Sequence, residues 1–176
     1  MADLRNKPLS WVNAPGPEEE AAFRVVDSST GPQSGVQGGG VSTASRGGRI
    51  LLVDDDPLIL RSMLRLLQVE RPRLSVVAVA TAQLALDRLS EEKFDVMVTD
   101  LEMPGMRGEE LLERAMLLDP TLTCVVHSNQ VLCLPSELRA KLRATINKPA
   151  SSAEICATLD DAIGRAEHLR DSLSWI

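Results

Sequence analysis

The sequence predicts an α/β fold, a doubly wound sheet of five parallel strands flanked by five helices, and three observations carry that expectation. Short apolar runs rich in β-branched residues recur along the chain, as strands buried on both faces require. Between them lie segments whose apolar residues repeat at helical spacing. Glycine divides the chain: eight of the 11 glycines lie at or before position 48, and the rest is given over to regular elements.

Residues 1–47 read as a flexible, mostly disordered N-terminal extension. They hold Pro8, Pro15, Pro17 and Pro32, the acidic run Glu18, Glu19 and Glu20, and the Gly/Ser linker SGVQGGGVSTASRGG that ends at Gly48. Such a composition buries too little apolar surface to offset its ordering entropy. Its one apolar patch, 21–26 (AAFRVV), is either a docking stub or a short strand, with Trp11 and Phe23 as contact points.

The α/β unit is expected over 48–170. Its first strand is 49–54 (RILLVD), closing on acid, and Pro57 suits the opening turn of the helix that carries Leu60, Met63, Leu64 and Leu67. Pro72 closes that connection. The second strand is 75–80 (SVVAVA), and Thr81 caps a helix bearing Leu84, Ala85 and Leu89. The third strand, 94–99 (FDVMVT), ends at Asp100. After the loop LEMPGMRG, a helix follows on Leu111, Leu112, Ala115 and Leu118. A fourth strand spans 122–127, a short helix 135–143 and a fifth strand 144–147. Ser151 and Glu154 form a capping box for the last helix, on Ile155, Leu159, Ala162, Ile163, Ala166 and Leu169. Residues 171–176 form its C-terminal tail, and Leu169, Leu173, Trp175 and Ile176 either carry an apolar end to a partner or a second copy or fray in solvent.

Composition excludes several classes of function. Nineteen Lys+Arg against 25 Asp+Glu give a net charge of −6, which argues against nucleic-acid binding through a basic face. Aromatics are 2% with no Tyr, so base-stacking platforms are poorly supplied. No apolar run approaches the roughly 20 residues of a membrane span, and no signal peptide is evident. Three scattered cysteines suit a reducing, cytoplasmic setting, with Cys124 and Cys156 as core residues and Cys133 more exposed.

In open α/β sheets chemistry gathers at the carboxyl ends of the strands. Here those ends carry Asp54, Asp55 and Asp56, then Asp100, Ser128 and Lys148, followed by Pro149. Two carboxylates about 4 Å apart repel by roughly 4 kcal/mol at an effective dielectric near 20. A divalent cation removes that cost, and an all-oxygen site of carboxylates, a carbonyl and waters suits Mg²⁺. Carboxylate nucleophile, metal, cation and hydroxyl together suit an incoming phosphoryl group.

The motifs LLVDDDP (51–57), VMVTDLEMPGM (96–106), VVHS (125–128) and INKP (146–149) follow one another at fitting strand ends. Through them residues 49–166, about two thirds of the chain, resemble the receiver domain of bacterial two-component response regulators, a flavodoxin-like fold. The resemblance implies that Asp100 is the phosphoacceptor and that Asp54 and Asp55, with Asp100 and the backbone carbonyl of Glu102, hold Mg²⁺. It implies that Ser128 moves toward the phosphoryl group and that Lys148 pairs with it. It places Pro149 after a cis bond, and makes Met103, Pro104 and Gly105 the loop that lets backbone approach the site. Asp56 is the bystander of the three acids. Glu102 and Gln130 occupy positions that tune phosphoryl lifetime in the family. The partners implied are a histidine kinase or histidine phosphotransfer protein and a downstream protein, for a stand-alone regulator that is a monomer or weak dimer. No enzymatic turnover is expected beyond Mg-dependent self-phosphorylation and autodephosphorylation.

The chain departs from the family pattern on one face. Thr145 stands where an aromatic linked to output switching is usual, Ala150 follows the Lys-Pro pair, and 131–145 is compact without the usual Gly turn. This motivates an alternative, a phosphorylation-independent adaptor that docks a partner around Thr145. An Mg²⁺-dependent phosphohydrolase of the haloacid dehalogenase type is a weaker fit, because Leu101 and Glu102 follow Asp100 where that type has a second Asp two residues on. His127 is expected to be a neutral, hydrogen-bonded histidine under a helix.

Overall fold

The computed structural model describes the backbone of residues 22–25 and residues 47–173. The Gly/Ser linker before Gly47, Trp11, the side chains of Phe23 and Leu173, and Trp175 and Ile176 lie outside the described residues.

The apolar patch forms strand β1 (Ala22–Val25). The expected parallel strands follow as β2 (Arg49–Val53), β3 (Ser75–Val79), β4 (Val96–Thr99), β5 (Thr123–Ser128) and β6 (Ala144–Asn147). Their order across the sheet is β1-β3-β2-β4-β5-β6. The five expected strands pair in parallel, and β1 adds a sixth, antiparallel to β3, at the edge.

The helices are α1 (Pro57–Glu70), α2 (Ala82–Glu91), α3 (Gly108–Leu118), α4 (Ser136–Arg139) and α5 (Ser152–Leu173). Asp56 caps α1, its carboxylate accepting from the Leu58 N–H at 2.8 Å. Thr81 and Ser151 do the same for α2 and α5, each accepting at 3.2 Å. Successive residues of β2 point to opposite faces, so two cores form. Leu51 and Val53 pack with Met97, Leu111 and Leu112 on one face, while Ile50 and Leu52 pack with Leu60, Leu67 and Leu159 on the other. Each fully buried side chain of this size contributes about 1.5–3 kcal/mol.

The strands expected at 49–54, 75–80 and 122–127 move by one residue at their ends, and three further expectations change. The helix expected over 135–143 shrinks to four residues, preceded by a 3₁₀ turn at Val131–Cys133. Lys141 and Leu142 close three-residue turns onto Leu138 and Arg139, and the Arg143 N–H then reaches the Cys124 carbonyl at 2.9 Å, pulling the chain toward β6. The strand expected from residue 94 starts at Val96. The Asp95 N–H still donates to the Arg49 carbonyl at 2.8 Å and its carbonyl accepts from the Thr123 N–H at 3.0 Å, while its buried carboxylate takes the Arg49 N–H at 2.7 Å and Arg170 at 2.5 Å. Leu118, expected in the core, is 50% exposed at the end of α3.

The α3–β5 connection turns on Asp119. Its side chain, 8% exposed, accepts from the Thr121 N–H at 2.9 Å, the Thr121 hydroxyl at 2.6 Å and Lys93 at 2.9 Å. Burial alone would raise its pKa, but Thr121 and Lys93 outweigh that and hold it below the ordinary 3.8. Lys93 is largely exposed and adds little, so Asp119→Ala is expected to cost about 2 kcal/mol near pH 7 through the lost turn bonds. Because the folded pKa is depressed, that stability is present above the unfolded pKa and is lost as pH falls through the folded one. Urea unfolding of both proteins should therefore converge as the pH drops below about 4. A constant gap down to low pH would contradict this account. Among the described residues no helix is long and apolar enough to cross a membrane.

Candidate functional site

Strand order reverses between β2 and β4: the chain leaves β2 for β3 on one side and continues through β4, β5 and β6 on the other. Side chains just past these two strands face a crevice at their carboxyl ends. Asp54 follows β2, Asp100 follows β4, Ser128 ends β5 and Lys148 follows β6. The structure thus brings together the residues that the sequence placed on one rim.

Lys148 holds the centre. Its Nζ donates to Asp54 Oδ2 at 2.7 Å and to Asp100 Oδ2 at 2.6 Å. Asp100 Oδ1 accepts from the N–H groups of Leu101 at 2.6 Å and Glu102 at 3.2 Å, and Asp54 Oδ1 from that of Asp56 at 2.9 Å. Thr99, fully buried and not anticipated from sequence, donates its hydroxyl to the Asp100 carbonyl at 2.8 Å and fixes the strand exit.

The two buried acids differ. Burial opposes the charge on Asp100, yet hydrogen bonds from Lys148, Ser128 and the Glu102 N–H outweigh it and hold the carboxyl below its usual range. Asp54 is pushed up, because burial exceeds the help of Lys148 and the Asp56 N–H. Lys148 is itself raised: burial works against its charge, but Asp100 and Asp54 more than compensate. Burial, then Lys148, lowers His127 and keeps it neutral, as expected. Among the described residues its ring has no hydrogen-bond partner, contrary to expectation, and it faces a small void beneath Asp54 and Asp100 instead.

Asp55 is exposed, and oxygens of Asp54, Asp55 and Asp100 lie within 4.8 Å of one another. An octahedral ion with ligands about 2.1 Å away spans about 4.2 Å between opposite ligands, so small side-chain rotations close this set on a cation. Three carboxylates against the single ammonium of Lys148 leave an excess negative charge that a divalent ion matches. Donor type, spacing and charge therefore fit Mg²⁺. Asp56, committed to capping α1, stands apart from this set.

Around the rim, Gly105 turns the loop after β4 at φ 85°, and the Lys148–Pro149 bond is cis. The Gln130 amide donates to the Glu102 carboxylate across the mouth. A groove of about 610 Å³ runs from the acids between α1 and the start of α5, past Ile59, Met63 and Ile155. Thr145 lies half-buried on β6 opposite Val126, and Ala150 is half-buried beside the groove. Cys124 and Cys156 are buried and Cys133 is exposed, with burial pushing the Cys124 thiol up to about 12.

Comparison with known proteins decides the family. The model of the response regulator receiver domain matches residues 50–160. The chain belongs to this receiver family. A protein-glutamate methylesterase/protein-glutamine glutaminase of Paramagnetospirillum magneticum is 31% identical over 116 residues, 64% of this chain and 30% of that protein. Two-component response regulator ARR2 of Arabidopsis thaliana is 36% identical over 85 residues, 47% of this chain and 13% of that protein. The chain therefore spans less than a third of the length of these curated relatives, and what matches in it is the receiver domain. Among solved structures, a CheY-like receiver domain from Methanospirillum hungatei aligns with TM-score 0.62 and 29% identity, over 69% of this chain and 98% of its own. An adenylate cyclase structure from Rhodopirellula baltica aligns with TM-score 0.67 and 27% identity, over 73% and 96%.

Proposed function

We propose that this receiver accepts a phosphoryl group on Asp100 from a histidine kinase or histidine phosphotransfer protein and thereby alters its binding to a downstream protein. The unit that carries this is residues 48–170. The observation that supports it most is the state of Asp100: a buried carboxylate kept ionised by Lys148, Ser128 and backbone N–H groups at the switch-point crevice.

In the proposed transfer a carboxylate oxygen of Asp100 attacks phosphorus in line with the leaving imidazole nitrogen. The O–P bond forms as the P–N bond breaks, and the imidazole keeps the bonding electron pair and takes up a proton. Lys148, already on Asp100 Oδ2, is placed to follow the charge onto a phosphoryl oxygen, and the Ser128 hydroxyl to donate to another. Asp54, Asp55, Asp100 and the Glu102 carbonyl would hold Mg²⁺, which when bound supplies neutralising charge for the phosphoryl oxygens. The backbone N–H groups of Leu101 and Glu102 keep Asp100 aimed.

Incubation of the chain with acetyl phosphate and Mg²⁺, read by intact mass, tests this. A gain of one phosphoryl group that is absent in Asp100→Asn is expected. No gain by the folded protein with several phosphodonors would sink the proposal. A second reading, an adaptor that signals without phosphorylation, is favoured by Thr145 on β6, where a small side chain replaces the family's switching aromatic. Equal partner binding by wild type, Asp100→Asn and Asp100→Glu is the result it requires.

A further inference from the structure

The outer side of β3 has no natural defence of its own. Its residues Ser75, Val76, Val77, Ala78 and Val79 include no charge and no proline, and a bare edge of this kind is a template for another strand. β1 lies on it, with Ala22 opposite Val79 and Val25 opposite Val76. The Ser75 N–H donates to the Gly48 carbonyl at 3.0 Å, and the Val79 carbonyl accepts from Asp54 at 3.3 Å, so residues 75, 77 and 79 face β2. Main-chain groups alternate along a strand, so Val76 and Ala78 turn theirs outward to β1. Val25–Val76 and Phe23–Ala78 are therefore the hydrogen-bonded pairs, and Arg24–Val77 is a close non-bonded pair.

The connection to this strand is far longer than it needs to be. Val25 and Gly48 flank the same end of β3, so the gap between them is about two strand spacings, roughly 10 Å. Residues 26–47 join them, and 22 residues extend to about 75 Å. A link with that reach does not restrict β1 to its own sheet. The same four residues meet the β3 edge of a neighbouring copy in the same register, and exchange in both directions closes a two-fold pair that needs no contact the monomer lacks. We propose that the outer edge of β3 is a strand-docking site for Ala22–Val25 of a second copy of this chain, giving a strand-exchanged dimer at raised concentration. The chain's own segment competes at an effective concentration of about a millimolar or less, so monomers dominate at micromolar concentration and dimers emerge toward millimolar.

Amide hydrogen exchange on the full chain tests this without reference to phosphoryl chemistry, and Asp100→Asn should behave as wild type. At about 20 µM, Val76 and Ala78 should be protected together with Val77 and Val79. In an isotope-labelled full chain carrying Phe23→Pro and Val25→Pro, which removes both donors aimed at β3, Val76 and Ala78 should exchange at least about tenfold faster while Val77 and Val79 keep their protection. Adding unlabelled wild-type chain to about 1 mM should restore protection at Val76 and Ala78 alone, since only a second copy can supply the strand. Unprotected Val76 and Ala78 in the intact chain, or no recovery at that concentration, overturns the proposal. If the proline variant loses protection at all four amides, the non-bonded pair supplies the decision. Chains carrying Arg24→Cys and Val77→Cys, each with Cys133→Ser, are mixed and oxidised. A mixed disulfide-linked dimer that grows between about 20 µM and 1 mM supports strand exchange, and its absence at 1 mM overturns it.

Discussion

Lys148→Met is expected to lower the unfolding free energy by about 3 kcal/mol near pH 7, because it leaves two buried carboxylates without their cation. The side chains of Lys148, Asp54 and Asp100 are only 14%, 6% and 11% exposed, so water cannot replace the ammonium at either contact. Methionine matches the stem in length, which separates lost charge from lost packing. The pH dependence carries the sign. In the wild type Asp100 is depressed, so its contribution is present above the unfolded pKa and is lost as pH falls through the folded value. Without Lys148, Asp54, already raised by burial, rises further, and Asp100 loses its strongest lowering partner and moves up as well. Stability is then regained as pH falls through their folded values and is lost again as pH rises through them. The difference between variant and wild type should be smaller at pH 5 than at pH 7. Millimolar Mg²⁺ should stabilise the variant more than the wild type, since the ion removes the same repulsion. Urea unfolding at the two pH values, with and without Mg²⁺, measures all of this. A pH-independent loss, or equal stabilisation of both proteins by Mg²⁺, would show that the ammonium is not what holds the acids together.

The rim was legible in the sequence because strand ends are few and their chemistry is unmistakable. Asp54, Asp55, Asp100, Ser128 and Lys148 each stand where an apolar run stops, and a parallel sheet puts all such stops on one side. What the sequence hid depends on neighbours distant in the chain. In 94–99 Asp95 alternates with apolar residues as a strand residue would, and only the positions of Arg49 and Arg170 show its carboxylate turned elsewhere. The patch at 22–25 is too short to declare a strand, and its partner is knowable only once β3 is known to lie at the edge. Asp56 looked redundant beside Asp54 and Asp55, although Pro57 after it marks a helix start and the residue before such a start is usually a cap. Leu118 keeps helical spacing but is the last residue of α3 and is half exposed, while the buried position beside it goes to the Asp119 cap.

Gly108 carried a signal that spacing alone did not use: a glycine in the first turn of a helix, with no turn to make there. A Cβ at this position would lie 2.4 Å from the Asp100 carbonyl oxygen and 2.6 Å from the Leu101 Cα, both backbone atoms. Neither can step aside as a flexible side chain would, so α3 or the loop from 100 to 108 must move. The Gly108 N–H also donates to the Leu101 carbonyl at 3.1 Å, tying the start of α3 to the strand exit that aims Asp100. Gly108→Ala is therefore expected to cost about 3 kcal/mol in chemical unfolding. Where the variant is still folded, phosphoryl uptake from acetyl phosphate should slow by about tenfold or more, because sub-ångström displacement of a nucleophile is enough to do so. Gly164→Ala provides the contrast. It lies mid-helix in α5 with nothing within 4 Å of its added Cβ, so the same substitution should stabilise by about 0.5–1 kcal/mol and leave uptake unchanged. Equal effects at the two glycines would mean that the α3 start is free to retreat, and that the close approach at Gly108 does not position Asp100.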